Sequence, residues 1–202
     1  LITRLIFVWF LKQRGLIPWQ FFDEDYIREN LLDNFNPNAK VDLFYKAVDS
    51  KYYKAILQNL FFAMLNCPIC KEGSKEINQR RFSKADPSDR DNNKLMRYKS
   101  LFKNPDLFLQ LANQRVPFLN GGLFDCLDDK KHKLYYDGFS DSNESQKQLR
   151  VPDYLFFGEN VGKNIDLSEF YGDTNKKKVS ARGIIDILKR YNFTVEENMP
   201  FD

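Results

Sequence analysis

Apolar residues recur at helical spacing in several parts of the chain, and this pattern predicts a mainly helical protein. The clearest repeat follows Ser50, whose hydroxyl is suited to cap the N-terminus of a helix. The apolar positions of this repeat are Tyr53, Ile56, Leu57, Leu60, Phe61, Met64 and Leu65. Their spacing of three and four predicts one helix with an apolar face in the core.

Further helices are predicted from start and stop signals. Gly15 is expected to end the first helix, and Gly158 is expected to end a short helix later in the chain. A run of acidic residues favours the start of the second helix. Pro105 is expected to occupy the first turn of another helix. The expected helices, in chain order, cover about 1–14, 23–32, 41–48, from 104 onward, 151–157 and 179–190.

The remaining segments are predicted as loops with little strand. Residues 67–93 are polar and charged and contain Pro68, Gly73 and Pro87, which favours a long surface loop. Residues 130–139 are compatible with a short strand or hairpin. The predicted fold class is therefore mainly α, an irregular helical domain with long loops and at most a small β-hairpin.

One domain is expected, with a helical part at 1–66, the polar loop at 67–93 and a second helical part with loops at 94–202. The chain begins inside an apolar run and stops after an apparent extended segment. We interpret it as a fragment truncated at both ends, and we expect it to expose apolar surface.

Composition narrows the class of protein. The chain is 43% hydrophobic and has 19 Phe and 10 Tyr, which argues against intrinsic disorder. Its apolar opening run, Leu5 to Leu11, is too short to span a membrane. Three cysteines without a dense framework favour a reduced, cytoplasmic compartment.

Basic residues are the candidate contacts to nucleic acid. The net charge of +3 does not by itself indicate DNA, but residues 71–103 contain ten Lys or Arg against five Asp or Glu. Such clusters can neutralise backbone phosphates, although an ordinary solvated surface is the alternative. The candidates for contact with the DNA backbone are Arg80, Arg81, Lys84, Arg97, Lys99, Lys176, Lys177, Lys178 and Arg182.

A zinc site is a second hypothesis. Cys67 and Cys70 form a CxxC pair that Cys126 and His132 could complete, but the second pair lacks the tight spacing of the first. The alternative is that both cysteines are ordinary small residues at a helix end. No catalytic residue is predicted, because His132 lacks a Ser-His-Asp arrangement and no glycine-rich cofactor loop is present.

Three stretches resemble a known family. They are Leu1–Gly15, then Phe118–Leu127 followed by Asp137–Asp141 and Val151–Phe157, and finally Ile184–Asn198. The Asn-Gly-Gly-Leu-Phe sequence at 120–124 and the Tyr-Asn-Phe-Thr-Val-Glu-Glu-Asn sequence at 191–198 are the most specific parts. Together the stretches resemble the helical connector region of Type IIG bifunctional restriction–modification enzymes and adenine-specific DNA methyltransferases.

The resemblance implies a connector between a nuclease and a methyltransferase domain of one chain. The methyltransferase would use S-adenosylmethionine, the nuclease would use Mg²⁺, and DNA would be the partner of the parent protein. The (Asn/Asp)-Pro-Pro-(Tyr/Phe) tetrad that holds a flipped adenine is absent, as is a convincing nuclease motif. The expected function is therefore non-catalytic, with no cofactor in this fragment and no membrane partner. A protein-interaction scaffold without DNA contact is the alternative, and a small zinc-binding protein is another.

Overall fold

The computed structural model describes residues 1–37, 50–67, 96–119, 122–125, 150–158 and 183–190. It also describes the backbone of the short strands at 71–72, 75–76, 165–166 and 180–181, and the single positions 127 and 132. The described residues are mostly helical, which confirms the mainly α class. The α-helices are α1 (Ile2–Gln13), α2 (Glu24–Tyr26), α3 (Pro105–Arg115), α4 (Asp153–Phe157) and α5 (Ile184–Arg190).

Short 3₁₀-helical and π-helical segments occur in addition to the α-helices. Single 3₁₀ turns occur at Trp19–Phe22, Lys99–Leu101 and Gly122–Phe124. A π-helical segment, Ile27–Leu31, continues α2. Two further π-helical segments, Tyr52–Leu57 and Asn59–Leu65, are separated only by Gln58, and residues 52–65 are called the central helix below.

Strands contribute only two short antiparallel pairs in the described chain. Strand β1 (Lys71–Glu72) pairs with β2 (Lys75–Glu76), and β3 (Ile165–Asp166) pairs with β4 (Ser180–Ala181). The pairing of β4 shows that a helical start at 179 is wrong, because α5 begins only at Ile184. The hairpin predicted at 130–139 and the helix predicted at 41–48 lie outside the described residues, apart from His132.

The central helix is buried around its whole circumference. Every residue from Tyr52 to Leu65 is buried except Lys54, which is half-buried. A helix that is buried on all sides lies in the middle of a core, so the single apolar face predicted from the sequence understates its burial. The buried residues of α1, α3, α4 and α5 join it in one continuous core.

Local end signals correctly predicted several helix limits. Gly15 ends α1 with φ +72°, and Gly158 ends α4 with φ +84°, a region where a residue without Cβ is favoured. Asp23 caps α2 by accepting a hydrogen bond from the Tyr26 N–H at 2.9 Å. Asn104 caps α3 in the same way, and Pro105 occupies its first turn.

The cap of the central helix comes from a distant residue. The Asp153 carboxylate, only 3% exposed, accepts hydrogen bonds from the N–H groups of Lys51 at 3.1 Å and Tyr52 at 2.8 Å. The Ser50 hydroxyl instead accepts the Val151 N–H at 2.9 Å. The prediction that Ser50 caps this helix is therefore wrong, because its hydroxyl serves another segment.

Helix α5 packs directly on α4, and a glycine permits the contact. A Cβ atom placed at Gly183 would lie 2.4 Å from the carbonyl oxygen of Phe156. This distance is far inside van der Waals contact, so the two backbones approach closely only because residue 183 has no side chain. None of the helices in the described ranges is long and apolar enough to cross a membrane.

Candidate nucleic-acid interface

Two of the nine residues predicted to contact the DNA backbone, Arg97 and Lys99, lie in the described part of the chain. Lys99 is exposed and begins a 3₁₀ turn whose end is fixed, because the Leu101 carbonyl accepts the Asp33 N–H at 2.9 Å. Its ammonium group is therefore available on an anchored surface turn. The candidates outside the described residues are Arg80, Arg81, Lys84, Lys176, Lys177, Lys178 and Arg182.

Arg97 is a packed residue rather than a surface cation. It is 8% exposed, and Asn59 in the central helix binds both of its backbone groups, accepting the Arg97 N–H at 2.8 Å and donating to the Arg97 carbonyl at 2.9 Å. Its guanidinium lies 5.1 Å from the centroid of the Tyr98 ring. Arg97 is therefore much less exposed than Lys99, and its contact with the DNA backbone stays a prediction.

The Tyr98 ring also contacts a second cation, Lys54, which the sequence pattern did not indicate. The Nζ atom of Lys54 lies 5.2 Å from the ring centroid of Tyr98. Tyr98 has φ +56°, in the left-handed region that is uncommon for residues with a side chain. The ring thus lies beside two cations that are far apart in sequence and that meet because Asn59 fixes the backbone next to it.

Arg4 joins the first and second stretches of the family resemblance. It is 6% exposed, and its Nε and Nη2 atoms donate to the carbonyl oxygens of Leu123 at 2.6 Å and Asp125 at 2.7 Å. The guanidinium also lies 5.2 Å from the centroid of the Phe62 ring. Asn66 donates to the Asp125 carboxylate at 3.1 Å. The Gly122–Asp125 turn is therefore fixed to both α1 and the end of the central helix.

The charge of a lysine on another helix contributes to the environment of Lys12. Lys12, near the end of α1, places its Nζ atom 4.3 Å from the centroid of the Trp9 ring. Burial lowers the pKa of Lys12, and the nearby charge of Lys189 on α5 lowers that pKa further. Sequence spacing could not reveal this pair, because 177 positions separate the two residues.

Two of the four residues of the predicted zinc site, Cys67 and His132, lie in the described part of the chain. Cys67 is a buried free cysteine just after the central helix, and His132 is exposed. Cys70 and Cys126 lie outside the described residues. Within the described ranges, no group of three or more potential metal ligands occurs together.

Apolar side chains are exposed along one side of α1. Ile2 is 62% exposed, Ile6 41% and Phe7 38%, and Leu127 beyond the Gly122–Asp125 turn is 57% exposed. Phe7 also contacts the Phe124 ring at a centroid distance of 5.9 Å. This exposed apolar strip is of the kind that marks interfaces with other proteins or domains.

Comparison with known proteins found no matching family model, no similar curated protein and no similar solved structure.

Proposed function

We propose that this chain is a non-catalytic helical connector of a DNA restriction–modification enzyme, whose parent protein is an S-adenosylmethionine-dependent adenine methyltransferase, possibly fused to a Mg²⁺-dependent nuclease. The connector positions the adjoining domains of the same chain and contacts the DNA backbone. The parent works in the cytoplasm.

One observation carries the proposal: the stretches that resemble the connector family meet in one set of contacts. Arg4 of the first stretch binds two carbonyl groups of the second. Asp153 of the second stretch caps the central helix, and Gly183, which precedes the third, allows α5 to pack on α4.

Contact with DNA is supported by Lys99, which is exposed on an anchored turn. A lysine in such a position can neutralise a backbone phosphate without reading base sequence. Its expected contribution is a release of counterions, which makes affinity depend on salt.

The test is binding of the 202-residue chain to a fluorescent DNA duplex over a range of salt concentrations. We expect log affinity to fall linearly with log salt, and Lys99→Gln to reduce the slope by about 0.9. The matched control is Lys103→Gln, which removes the same charge from a side chain that donates to the Glu29 carbonyl at 2.9 Å. An unchanged slope in the Lys99 variant contradicts contact at this residue.

A second measurement tests the non-catalytic part of the proposal. The chain is incubated with duplex DNA and labelled S-adenosylmethionine, and separately with duplex and Mg²⁺. We expect neither methyl transfer nor cleavage. Methyl transfer by the chain alone would contradict the connector proposal.

A protein-interaction scaffold is the second candidate, and the exposed apolar strip of α1 favours it. In that case the strip packs on a neighbouring domain and the basic residues are ordinary surface. The absence of duplex binding even at low salt would support the scaffold and contradict the DNA contact.

A further inference from the structure

The backbone of Tyr98 is held in a strained conformation. Its φ of +56° lies in the left-handed region, which costs free energy for a residue with a large side chain. Strain of this kind persists only where the surrounding contacts impose it, and it is most frequent at functional sites. Asn59 supplies the contact here, because it binds both the N–H and the carbonyl of the preceding residue, Arg97, at 2.8 and 2.9 Å. The fold therefore imposes the position of the Tyr98 ring.

The geometry of the central helix brings Lys54 to the same ring. Both segments of this helix are π-helical, and a π-helix bonds each N–H to the carbonyl five positions earlier. Lys54 and Asn59 are five positions apart, so they lie on the same side of the helix. Asn59 binds the Arg97 backbone, and the Nζ atom of Lys54 lies 5.2 Å from the centroid of the Tyr98 ring. Short π-helical turns are themselves frequent at functional sites.

Lys99 adds a second ammonium directly after Tyr98. It is exposed, and its 3₁₀ turn is fixed at both ends, by the Asn59 contact before it and by the Asp33 N–H, which the Leu101 carbonyl accepts at 2.9 Å, after it. Lys54 is half-buried, and the face of an aromatic ring attracts and orders its cation. A cation that is already ordered loses less conformational freedom when it binds an anion.

We infer that Lys54 and Lys99 together bind the phosphate backbone of duplex DNA, and that Tyr98 is the positioning residue that holds the Lys54 ammonium beside this turn. This inference rests on the proposed function and adds to it a second cation, which comes from the central helix. Each ammonium is a compact point charge that can neutralise one phosphate. The site recognises charge and position rather than base sequence.

The first experiment measures the salt dependence of duplex binding for the wild-type chain, Lys54→Gln, Lys99→Gln and the double variant. We expect each single substitution to reduce the slope of log affinity against log salt by about 0.9, and the double substitution to reduce it by about 1.8. The matched control is Lys51→Gln, which removes the same charge just before the central helix. The Lys51 ammonium donates to the carbonyl groups of Asp33 at 3.1 Å and Asn34 at 2.8 Å, so this variant should keep the wild-type slope.

The outcomes separate this inference from the proposed function. If the slope of the Lys54 variant equals that of the Lys51 control, the inference is overturned. A reduced slope in the Lys99 variant would then leave the DNA contact of the proposed function standing. Absence of duplex binding by the wild-type chain at low salt overturns both.

Substitutions of Tyr98 test its positioning role. Asparagine adopts positive φ more readily than tyrosine, so Tyr98→Asn removes the ring and keeps the backbone conformation. Tyr98→Phe keeps the ring and removes only the hydroxyl. We expect Tyr98→Asn to reduce the slope as much as Lys54→Gln does, with no further reduction when the two are combined, and Tyr98→Phe to keep the wild-type slope. A wild-type slope in Tyr98→Asn, or an equal loss in Tyr98→Phe, overturns the role of the ring.

Discussion

Replacement of Asp153 by Ala tests the cap that joins the two halves of the chain. In the wild-type protein the buried carboxylate accepts the N–H groups of Lys51 and Tyr52, at 3.1 and 2.8 Å. The alanine variant leaves both donors without this acceptor at the start of a helix that is itself buried. It also removes a negative charge from the positive end of the helix dipole.

The magnitude follows from the two lost hydrogen bonds. Removal of a helix N-cap costs about 0.5–2 kcal/mol, and a buried donor left unpaired costs about 1–3 kcal/mol. Because water can enter the space left by the carboxylate and satisfy one donor, we expect the free energy of unfolding to fall by about 3 kcal/mol. Asp153→Asn keeps one acceptor oxygen, so we expect a loss of about half that size.

Urea unfolding followed by circular dichroism measures these losses, and Ser50→Ala is the matched control. The Ser50 hydroxyl accepts one N–H, from Val151 at 2.9 Å, so its removal should cost about 1 kcal/mol. The structure therefore predicts that the Asp153 variant is the less stable of the two. If Ser50→Ala were more destabilising than Asp153→Ala, Ser50 would be the cap and the reasoning would be refuted.

Four further predictions concern other buried or close contacts. Burial, and secondarily the capping carboxylate, raises the pKa of Tyr52 well above its usual value. Above pH about 10 the folded protein therefore keeps a proton that the unfolded chain releases, and the free energy of unfolding should fall by up to about 1.4 kcal/mol per pH unit. Tyr52→Phe should make this fall less steep when the free energy of unfolding is measured at a series of pH values. Arg4→Lys should lower the free energy of unfolding by about 2 kcal/mol, because one ammonium cannot reproduce the forked contact, and urea unfolding checks it. Gly183→Ala should destabilise by about 2 kcal/mol or more through the clash with α4, which a shift in melting temperature reports. Lys189→Gln should raise the pKa of Lys12 toward its ordinary value, measured by carbon-13 NMR, and an unchanged pKa would contradict their proximity.

Helix ends were predictable where the signal is local. Gly15 and Gly158 adopt positive φ, and Asn104 with Pro105 starts α3, because each effect operates within a few residues. The Ser50 cap was wrong for a complementary reason. A serine before a helix can bond to its own helix or to another segment, and only the fold determines which N–H lies within reach.

Burial of the central helix also exceeded what its pattern predicted. Gln58 and Asn59 interrupt the apolar sequence, and polar residues at such positions normally indicate an exposed face. Asn59 is buried because it bonds to the Ala55 carbonyl of its own helix and to the backbone of Arg97. The Arg97 backbone, which satisfies the hydrogen bonds of the buried Asn59 amide, lies 38 positions away in the sequence, so no local pattern reveals it.

The same contact explains why charge alone could not distinguish the candidate contacts to DNA from one another. Arg97 and Lys99 are two positions apart and carry the same charge, yet Arg97 is buried and Lys99 is exposed. Asn59 holds the Arg97 backbone against the core, which turns one cation inward and leaves the next on the surface turn. Composition counts both residues equally, whereas packing distinguishes them.

The contacts that join distant segments are distributed along the central helix. Asp153 binds its first N–H groups, Asn59 binds the Arg97 segment near its middle, and Asn66 binds Asp125 just beyond its end. Polar side chains fix these segments by bonding to specific partners, which gives a definite orientation that apolar packing alone does not impose. Lys99 follows the segment bound by Asn59, and α1 is bonded to the Asp125 turn through Arg4. Lys99, a described cation that we propose to contact DNA, therefore follows a segment that is fixed to the central helix, and the proposed connector function requires a fixed segment of this kind.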